Sequence, residues 1–223
     1  MAGTAGALAI GPLAATRAGA DEDLVLHFPH NPTITHFSSS FGAPRSGGRR
    51  HQGNDLMAPK GTPVFAATSG VVTIVADGPL SGRYLVVEHS SRWSTWYMHL
   101  NNDLPGTDNG RADWTHTLAA GIELGASVEV GQPLAFVGDS GNAEGSGSHT
   151  HFELHRDGRA INPFPYLVAA FDQAIIDFRA AAVEAQIDGL CAPGPDVPAI
   201  DAEICPRPVG PLSESLSGAP IFD

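Results

Sequence analysis

Short apolar runs separated by glycine dominate the middle of the chain. Each run is three to seven residues long and rich in β-branched and aromatic residues, and the turns between them carry Gly61, Gly70, Gly78, Gly131 and Gly138. Strands this short, at this spacing, are typical of an antiparallel β-sandwich or barrel-like domain. We therefore predict a mainly β fold with strands near 63–67, 71–76, 84–89, 94–99, 128–130, 133–137 and 149–155.

The pattern changes near residue 166, after the segment Pro163-Phe164-Pro165. Apolar residues then recur at steps of three to five positions, which predicts an amphipathic C-terminal helix over 168–190. The remainder, 191–223, is rich in proline and serine and predicts an irregular tail. Its two cysteines, Cys191 and Cys205, favour a disulfide over two reduced thiols, because they bracket a short proline-rich loop.

The beginning of the chain suggests export. Residues 1–20 are small and mildly apolar and end in Ala18-Gly19-Ala20, which resembles a signal-peptide cleavage site, although no basic segment precedes it. A disordered leader is the alternative. Residues 21–36 then form an N-terminal extension, and no apolar run is long enough for a membrane span.

Charge excludes one class of partner. The chain has 12 basic and 24 acidic residues, a formal net charge of -12, and no lysine- or arginine-rich run. A nucleic acid or an anionic membrane is therefore not expected as the main partner.

The stretch Ser148 to His155 carries the densest candidate chemistry. Because side chains alternate along a strand, His149, His151, Glu153 and His155 are predicted on one face, opposite an apolar face. Neutral imidazole is a good zinc ligand and proton carrier. Alone, however, a His-x-His pair is more often part of an ordinary half-exposed strand.

Two further segments supply partners for this strand. His51 and Asp55 lie four positions apart, with Gly53 leaving space between them. In the run from Trp93 to Leu100, alternation predicts that Thr95, Tyr97 and His99 share a face. Each of these signals is weak by itself.

Taken in order, these motifs resemble the lysostaphin-type zinc metallopeptidases, known as the M23 or LytM-domain family. The resemblance covers roughly 37–167, apart from a long glycine- and aspartate-rich insertion at 101–127. It rests on four motifs in sequence: His51-x-x-x-Asp55, Tyr97-Met98-His99-Leu100, Gly131-Gln132 with Gly138-Asp139-Ser140-Gly141-Asn142, and His149-Thr150-His151-Phe152-Glu153.

The resemblance implies a LytM peptidase domain with Zn2+ as cofactor. It places the metal ligands on His51, Asp55 and His151 and the catalytic histidines on His149 and His99. Two imidazoles and one carboxylate leave a fourth tetrahedral position for water, as in catalytic rather than structural zinc sites. Glu153 is a candidate to orient a ligand, and His155 is interpreted as an ordinary exposed histidine.

The implied function is a secreted or cell-envelope endopeptidase that cleaves peptide bonds of bacterial peptidoglycan, in the stem peptide or the cross-bridge, with zinc-activated water. Peptidoglycan peptides are the expected partner, with a wall-associated protein as a second candidate. Two alternatives remain: a non-cleaving module that activates a wall amidase, and a secreted peptidase acting on glycine-rich proteins. His27, His30 or Asn31 would also be able to block the metal site in a latent form.

Overall fold

The structure, a computed structural model, describes residues 24–89 and 92–191, the last six by backbone alone. It contains nine strands in this part of the chain and one long helix, α1, at Phe164–Cys191. The predicted leader, the tail beyond residue 191 and the Cys191–Cys205 disulfide fall outside the described residues. The strands are Asn54–Met57 (β1), Pro63–Phe65 (β2), Gly70–Gly78 (β3), Gly82–Glu88 (β4), Trp93–Leu100 (β5), Ser127–Val128 (β6), Pro133–Phe136 (β7), His149–Arg156 (β8) and Arg159–Ile161 (β9).

One large antiparallel sheet organises the domain. Its strand order is β1-β8-β5-β4-β3-β6, with β9 also paired to β8, and β2 and β7 form a separate two-stranded sheet. The predicted mainly β antiparallel fold is therefore confirmed. β8 lies between β1 and β5, so Asp55 is directly opposite His151, and Met98 is opposite His151 on the other side.

The inner face of the sheet forms the core. Thr150, Phe152 and Leu154 of β8 are fully buried, as the alternation predicts. Phe152 packs edge-to-face against Tyr97 of β5, with ring centroids 5.4 Å apart. The Tyr97 hydroxyl accepts a hydrogen bond from the backbone N–H of Ala67 at 2.9 Å, so this buried polar group is satisfied. The histidine-bearing face of β8 is thereby fixed on the opposite side.

Among the described side chains of the helix, those of its first turns pack on the domain. The Asn162 side chain accepts from the backbone N–H of Phe164, which caps the helix start. Leu167 and Ala170 are buried, and Phe171 packs edge-to-face on Phe28. Side chains from residue 176 to residue 185 are exposed. No helix within residues 24–89 and 92–191 is long and apolar enough to cross a membrane.

The insertion at 101–127 is folded around a buried carboxylate. Asp103 accepts from the backbone N–H groups of Asn109 and Gly110 at 2.6 and 2.7 Å. Lys60 Nζ lies 2.6 to 2.8 Å from carboxylate oxygens of Asp103, Asp108 and Asp139. The three carboxylates are grouped closely enough to hold a metal ion, but the Lys60 ammonium already provides the compensating cation.

Candidate metal site and active-site groove

Three side chains converge on one point at the edge of the open sheet face. His51 Nε2 lies 3.0 Å from Asp55 Oδ1 and 2.9 Å from His151 Nδ1, and His151 Nδ1 lies 2.9 Å from Asp55 Oδ1. Atoms bound to a tetrahedral zinc at about 2.0–2.1 Å are roughly 3.3 Å apart. The three candidate ligands from 51, 55 and 151 are thus placed close to the separation that such an ion requires.

The outer hydrogen bonds fix which nitrogen of each ligand carries its proton. His51 Nδ1 lies 2.9 Å from the Ser40 carbonyl oxygen, which can only accept, so Nδ1 carries the hydrogen. His151 Nε2 lies 2.9 Å from Glu153 Oε1, and the carboxylate likewise imposes a hydrogen on Nε2. When both rings are neutral, as metal binding requires, the inward nitrogens His51 Nε2 and His151 Nδ1 present lone pairs.

Two such nitrogens 2.9 Å apart need a proton or a metal ion between or beside them. Burial lowers the pKa of His151, but hydrogen bonds with Asp55 and Glu153 raise it above its ordinary value, so in the metal-free protein a proton on this ring fills that place. Asp55 adds a carboxylate oxygen to the same point, so the donor set demands positive charge. The chemistry of this set, two imidazole nitrogens and one carboxylate oxygen, fits zinc. These residues fit a metal site by their distances and by the outer hydrogen bonds of His51 and His151, which leave His51 Nε2 and His151 Nδ1 facing inward.

Arg45 holds the second oxygen of the carboxylate ligand. Its guanidinium donates to Asp55 Oδ2 at 2.6 Å, leaving Oδ1 for the metal. Burial alone would raise the pKa of Asp55, but the hydrogen bonds and charges of His151 and His51 lower it well below its ordinary value. Asp55 is therefore a carboxylate throughout the physiological pH range. Sequence analysis missed Arg45, because the contact spans a glycine-rich loop.

The two candidate catalytic histidines lie beside this point. The His99 and His149 rings are 5.0 Å apart between centroids, and His149 Nε2 is 3.8 Å from Asp55 Oδ1. His99 Nδ1 donates to the Ser140 carbonyl at 2.8 Å, and His149 Nδ1 donates to the Gly147 carbonyl at 2.7 Å. Both Nε2 atoms are thus left with lone pairs. Burial lowers the pKa of His99 to about 4, so its ring is neutral at pH 7.

The prediction that His99 shares a face with Thr95 and Tyr97 is wrong. Thr95 and Tyr97 are fully buried in the core, whereas His99 lies in the groove beside Met98. The reason is a φ of 58° at His99, a left-handed conformation that few residues other than glycine adopt. The pairing of β4 with β5 also shifts register near this end. The backbone, rather than strand alternation, brings His99 to His149.

A chain of contacts behind His151 includes two residues that the sequence left without a role. Glu153 Oε2 lies 2.6 Å from His155 Nε2, and the His155 ring stacks on Trp96 with centroids 4.9 Å apart. Burial would raise the pKa of Glu153, but hydrogen bonds from His151 and His155 lower it to about 2. His155 is therefore a partner of the ligand-orienting carboxylate, not an ordinary exposed histidine. The alternation of side chains along β8, which places His155 on the same face as His151 and Glu153, was the sequence feature that could have predicted this contact.

Gly53 makes room for this chain of contacts. A Cβ at this position would lie 2.2 Å from the Phe152 carbonyl oxygen and 3.0 Å from Glu153 Cγ. Only glycine lets the segment leading into β1 approach β8 so closely. The sequence predicted that Gly53 leaves space for an ion. In the structure, that space is occupied by the Phe152 backbone and the Glu153 side chain.

The metal point opens into a groove with a volume of about 870 Å³. Its lining includes Arg45, Arg49 and Arg50, together with residues 79–81, 142–143 and 146. No residue of the 101–127 insertion lines the groove within the described part of the chain, so the insertion does not shape its rim.

The N-terminal extension, as far as the structure describes it, does not reach the metal point. His30 is buried on the core side, where its Nε2 lies 3.0 Å from the Thr150 hydroxyl. His27 lies against Gly131, and neither residue lines the groove. The described residues 24–40 approach the site only through the Ser40 carbonyl, which supports His51 from behind. The hypothesis of a blocking histidine at position 27 or 30 is not supported.

Fold and site together define an antiparallel β domain with a candidate three-ligand metal site that lines a groove. Residues 49–110 match the model of peptidase family M23. Over 116 residues the chain is 34% identical to an uncharacterized metalloprotease of Haemophilus influenzae, covering 52% of this chain and 20% of that protein. Over 112 residues it is 31% identical to the peptidoglycan DD-endopeptidase ShyA of Vibrio cholerae, covering 50% of this chain and 22% of that protein.

Solved structures share this fold. The putative peptidase M23 from Pseudomonas aeruginosa has a TM-score of 0.50 and 25% identity, covering 67% of this chain and 53% of that one. The SpoIIQ-SpoIIIAH pore forming complex contains a chain with a TM-score of 0.51 and 23% identity, covering 64% of this chain and 90% of that one, which shows the fold alone. The resemblance is confirmed: residues 49–110 of this chain are similar to peptidase family M23, and about half of the chain is similar to the named relatives. The chain spans only about a fifth of the length of the two curated relatives described above.

Proposed function

We propose that the protein is a zinc-dependent endopeptidase of the cell envelope that cleaves peptide bonds in peptidoglycan, in the stem peptide or the cross-bridge. The observation that carries the proposal is the convergence of His51 Nε2, His151 Nδ1 and Asp55 Oδ1 within 3.0 Å of one another. This donor set fits a metal ion, and its residues line an open groove. A closed structural site would have a fourth protein ligand instead.

His51, Asp55 and His151 would hold the metal. Zinc, when bound, polarises a carbonyl and makes a water molecule acidic enough to attack it near neutral pH. Arg45 and Glu153 keep two of the ligands in their binding orientation. Positioned ligands of this kind reduce the rearrangement needed before the reaction.

His149 and His99 would move the proton. Their Nε2 atoms carry lone pairs because each Nδ1 donates to a backbone carbonyl. We assign His149, assisted by His99, to removing the proton from the attacking water and to stabilising charge on the carbonyl oxygen. The neutral state of His99 at pH 7 suits an acceptor.

The named relatives support peptidoglycan as the substrate. ShyA is called a peptidoglycan DD-endopeptidase, and the relative from Neisseria gonorrhoeae is called a DD-carboxypeptidase/endopeptidase, with 28% identity over 145 residues. An open groove on a sheet face also accommodates an extended peptide. The retained ligand set favours cleavage over a non-cleaving activator.

The test is mass spectrometry of soluble products released from purified peptidoglycan by the full chain. It is run with zinc, with chelator, and with the His149→Ala variant. We expect new peptide termini that require both zinc and His149, and they identify the bond. If folded, zinc-loaded protein releases nothing but stimulates a wall amidase, the activator function replaces this proposal. Cleavage of glycine-rich proteins in preference to peptidoglycan would instead identify a protein-directed peptidase.

A further inference from the structure

The groove has a cationic lining, the arginine wall, in which only Arg45 contacts a candidate metal ligand. Arg45, Arg49 and Arg50 all line it, although the whole chain contains only 12 basic residues and carries a net charge of -12. A quarter of the basic side chains are thus gathered within six positions, next to the candidate metal ligands. This concentration of positive charge makes the groove unlike the rest of the acidic protein.

A short hairpin builds this wall and ties it to the metal site. The Gly42 N–H donates to the His51 carbonyl at 2.8 Å, and the Arg45 N–H donates to the Arg49 carbonyl at 3.0 Å. Gly47 and Gly48, with φ of 71° and 76°, form the reversal between them. Because the hairpin ends at His51, the position of the arginines is coupled to that of a ligand.

The three guanidinium groups differ in what they bind. Arg45 donates to Asp55. Arg49 donates to the Ser46 carbonyl and hydroxyl, and Arg50 donates to the Gly42 carbonyl. These acceptors on Arg49 and Arg50 are neutral, so the positive charges of the two groups are not offset by them. Each guanidinium has five N–H donors in a planar fork that matches a carboxylate.

We propose that Arg49 and Arg50 select substrates that carry a free carboxylate close to the scissile bond. The inference rests on the proposed peptidase function and narrows its substrate class to anionic peptides. A peptide whose carbonyl lies at the metal has its neighbouring residues along the arginine wall, where a carboxylate accepts charge-assisted hydrogen bonds. Lysine-rich or uncharged peptides gain nothing from this wall.

The placement of the arginines favours a peptide over an anionic polymer. They line the wall of the groove that contains His149 and His151, not a remote face. The surrounding protein is acidic, so a long polyanion would be repelled beyond the groove. A short peptide, in contrast, can place its carboxylate beside the arginines without extending over the acidic surface.

The experiment compares two synthetic stem-peptide dimers that differ only in charge. One has free side-chain and terminal carboxylates, and the other has them converted to amides. For zinc-loaded wild type, kcat/KM is measured for both, and binding of each to the His149→Ala variant is measured by calorimetry. We expect the free-carboxylate dimer to be preferred about tenfold to a hundredfold, the range for charge-assisted hydrogen bonds.

The double variant Arg49→Gln, Arg50→Gln is expected to lose this preference, chiefly through a higher KM, while cleavage of the amide dimer stays within about twofold. The matched control is Arg179→Gln, on the exposed side of α1 and away from the groove. Zinc content and circular dichroism confirm that the groove is intact. Equal use of both dimers by wild type, or equal loss on both in the double variant, overturns the proposal. Binding preference without cleavage of either dimer keeps it and overturns the peptidase function.

Discussion

His151 donates from Nε2 to Oε1 of Glu153 at 2.9 Å, so the metal-facing nitrogen of this ligand is determined by a carboxylate behind it. His155 holds the other oxygen of Glu153 at 2.6 Å and is itself stacked on Trp96. The orientation of one candidate ligand therefore depends on three side chains that never touch the metal.

The Glu153→Gln variant tests this dependence. We expect zinc affinity to fall about tenfold to a hundredfold, as for other residues that support metal ligands. The amide keeps the shape of the side chain but removes the charge that fixes the His151 tautomer. Competition with a chromophoric chelator measures the affinity. The matched control is Glu129→Gln, an exposed glutamate outside the groove, which should bind zinc like wild type; unchanged affinity in Glu153→Gln contradicts the assignment.

Substitutions of His149 and His151, two positions apart on β8, are expected to have different effects on zinc binding and on activity. His151→Ala and Asp55→Ala should lose both zinc and activity, because each removes a ligand. His149→Ala should keep stoichiometric zinc and lose most activity, on the order of a hundredfold or more for a general base. Zinc analysis beside peptide release distinguishes them. Full activity in His149→Ala would show that its role lies elsewhere.

Stability at mildly acidic pH is expected to depend on His30. Burial lowers the pKa of this histidine to about 3, against about 6.5 in an unfolded chain. Between these pH values the unfolded state binds the proton more tightly. The contribution of neutral His30 to the free energy of unfolding is therefore complete above pH 6.5 and decreases as the pH falls towards 3. Relative to pH 7, the metal-free protein should lose on the order of 2 kcal/mol from this group by pH 5.

Denaturant unfolding of the metal-free protein across pH 4.5 to 7.5 measures this slope. The His30→Gln variant should show a shallower decline than wild type, because glutamine does not titrate. His36, an exposed histidine in the same segment, provides the matched control as His36→Gln. Parallel profiles for wild type and His30→Gln would mean that other groups control the acid response.

The lysine at the centre of the acidic group is expected to be a stability determinant. Asp103 is buried, so removing its cation leaves an uncompensated charge, and we expect Lys60→Gln to cost about 2–4 kcal/mol. Asp108→Asn should cost under about 1 kcal/mol, because Asp108 is exposed. Urea unfolding compares the two. A loss of the same size in both variants would contradict burial as the cause.

Local alternation predicted the sheet face of β8 well, because Thr150, Phe152 and Leu154 have extended backbones and a clear apolar pattern. It failed at His99, since alternation assumes a φ that this residue does not adopt. The proximity of His51, Asp55 and His151 came from family resemblance, because the pairing of β1 with β8 joins segments about a hundred positions apart. No local pattern encodes such a pairing. The arginine hairpin was predicted only as a loop, as its glycines indicate flexibility but not which side chains face a groove.

Lys60 is the only lysine in the sequence. Its Nζ donates to three carboxylates, which raise its pKa above the ordinary value although burial opposes the change. The ammonium is therefore a poor nucleophile at neutral pH. Reagents that acylate amines therefore react slowly with the one lysine side chain of this sequence, and none lies in the groove. Coupling the protein to a surface through lysine requires new lysines, placed away from the arginine wall.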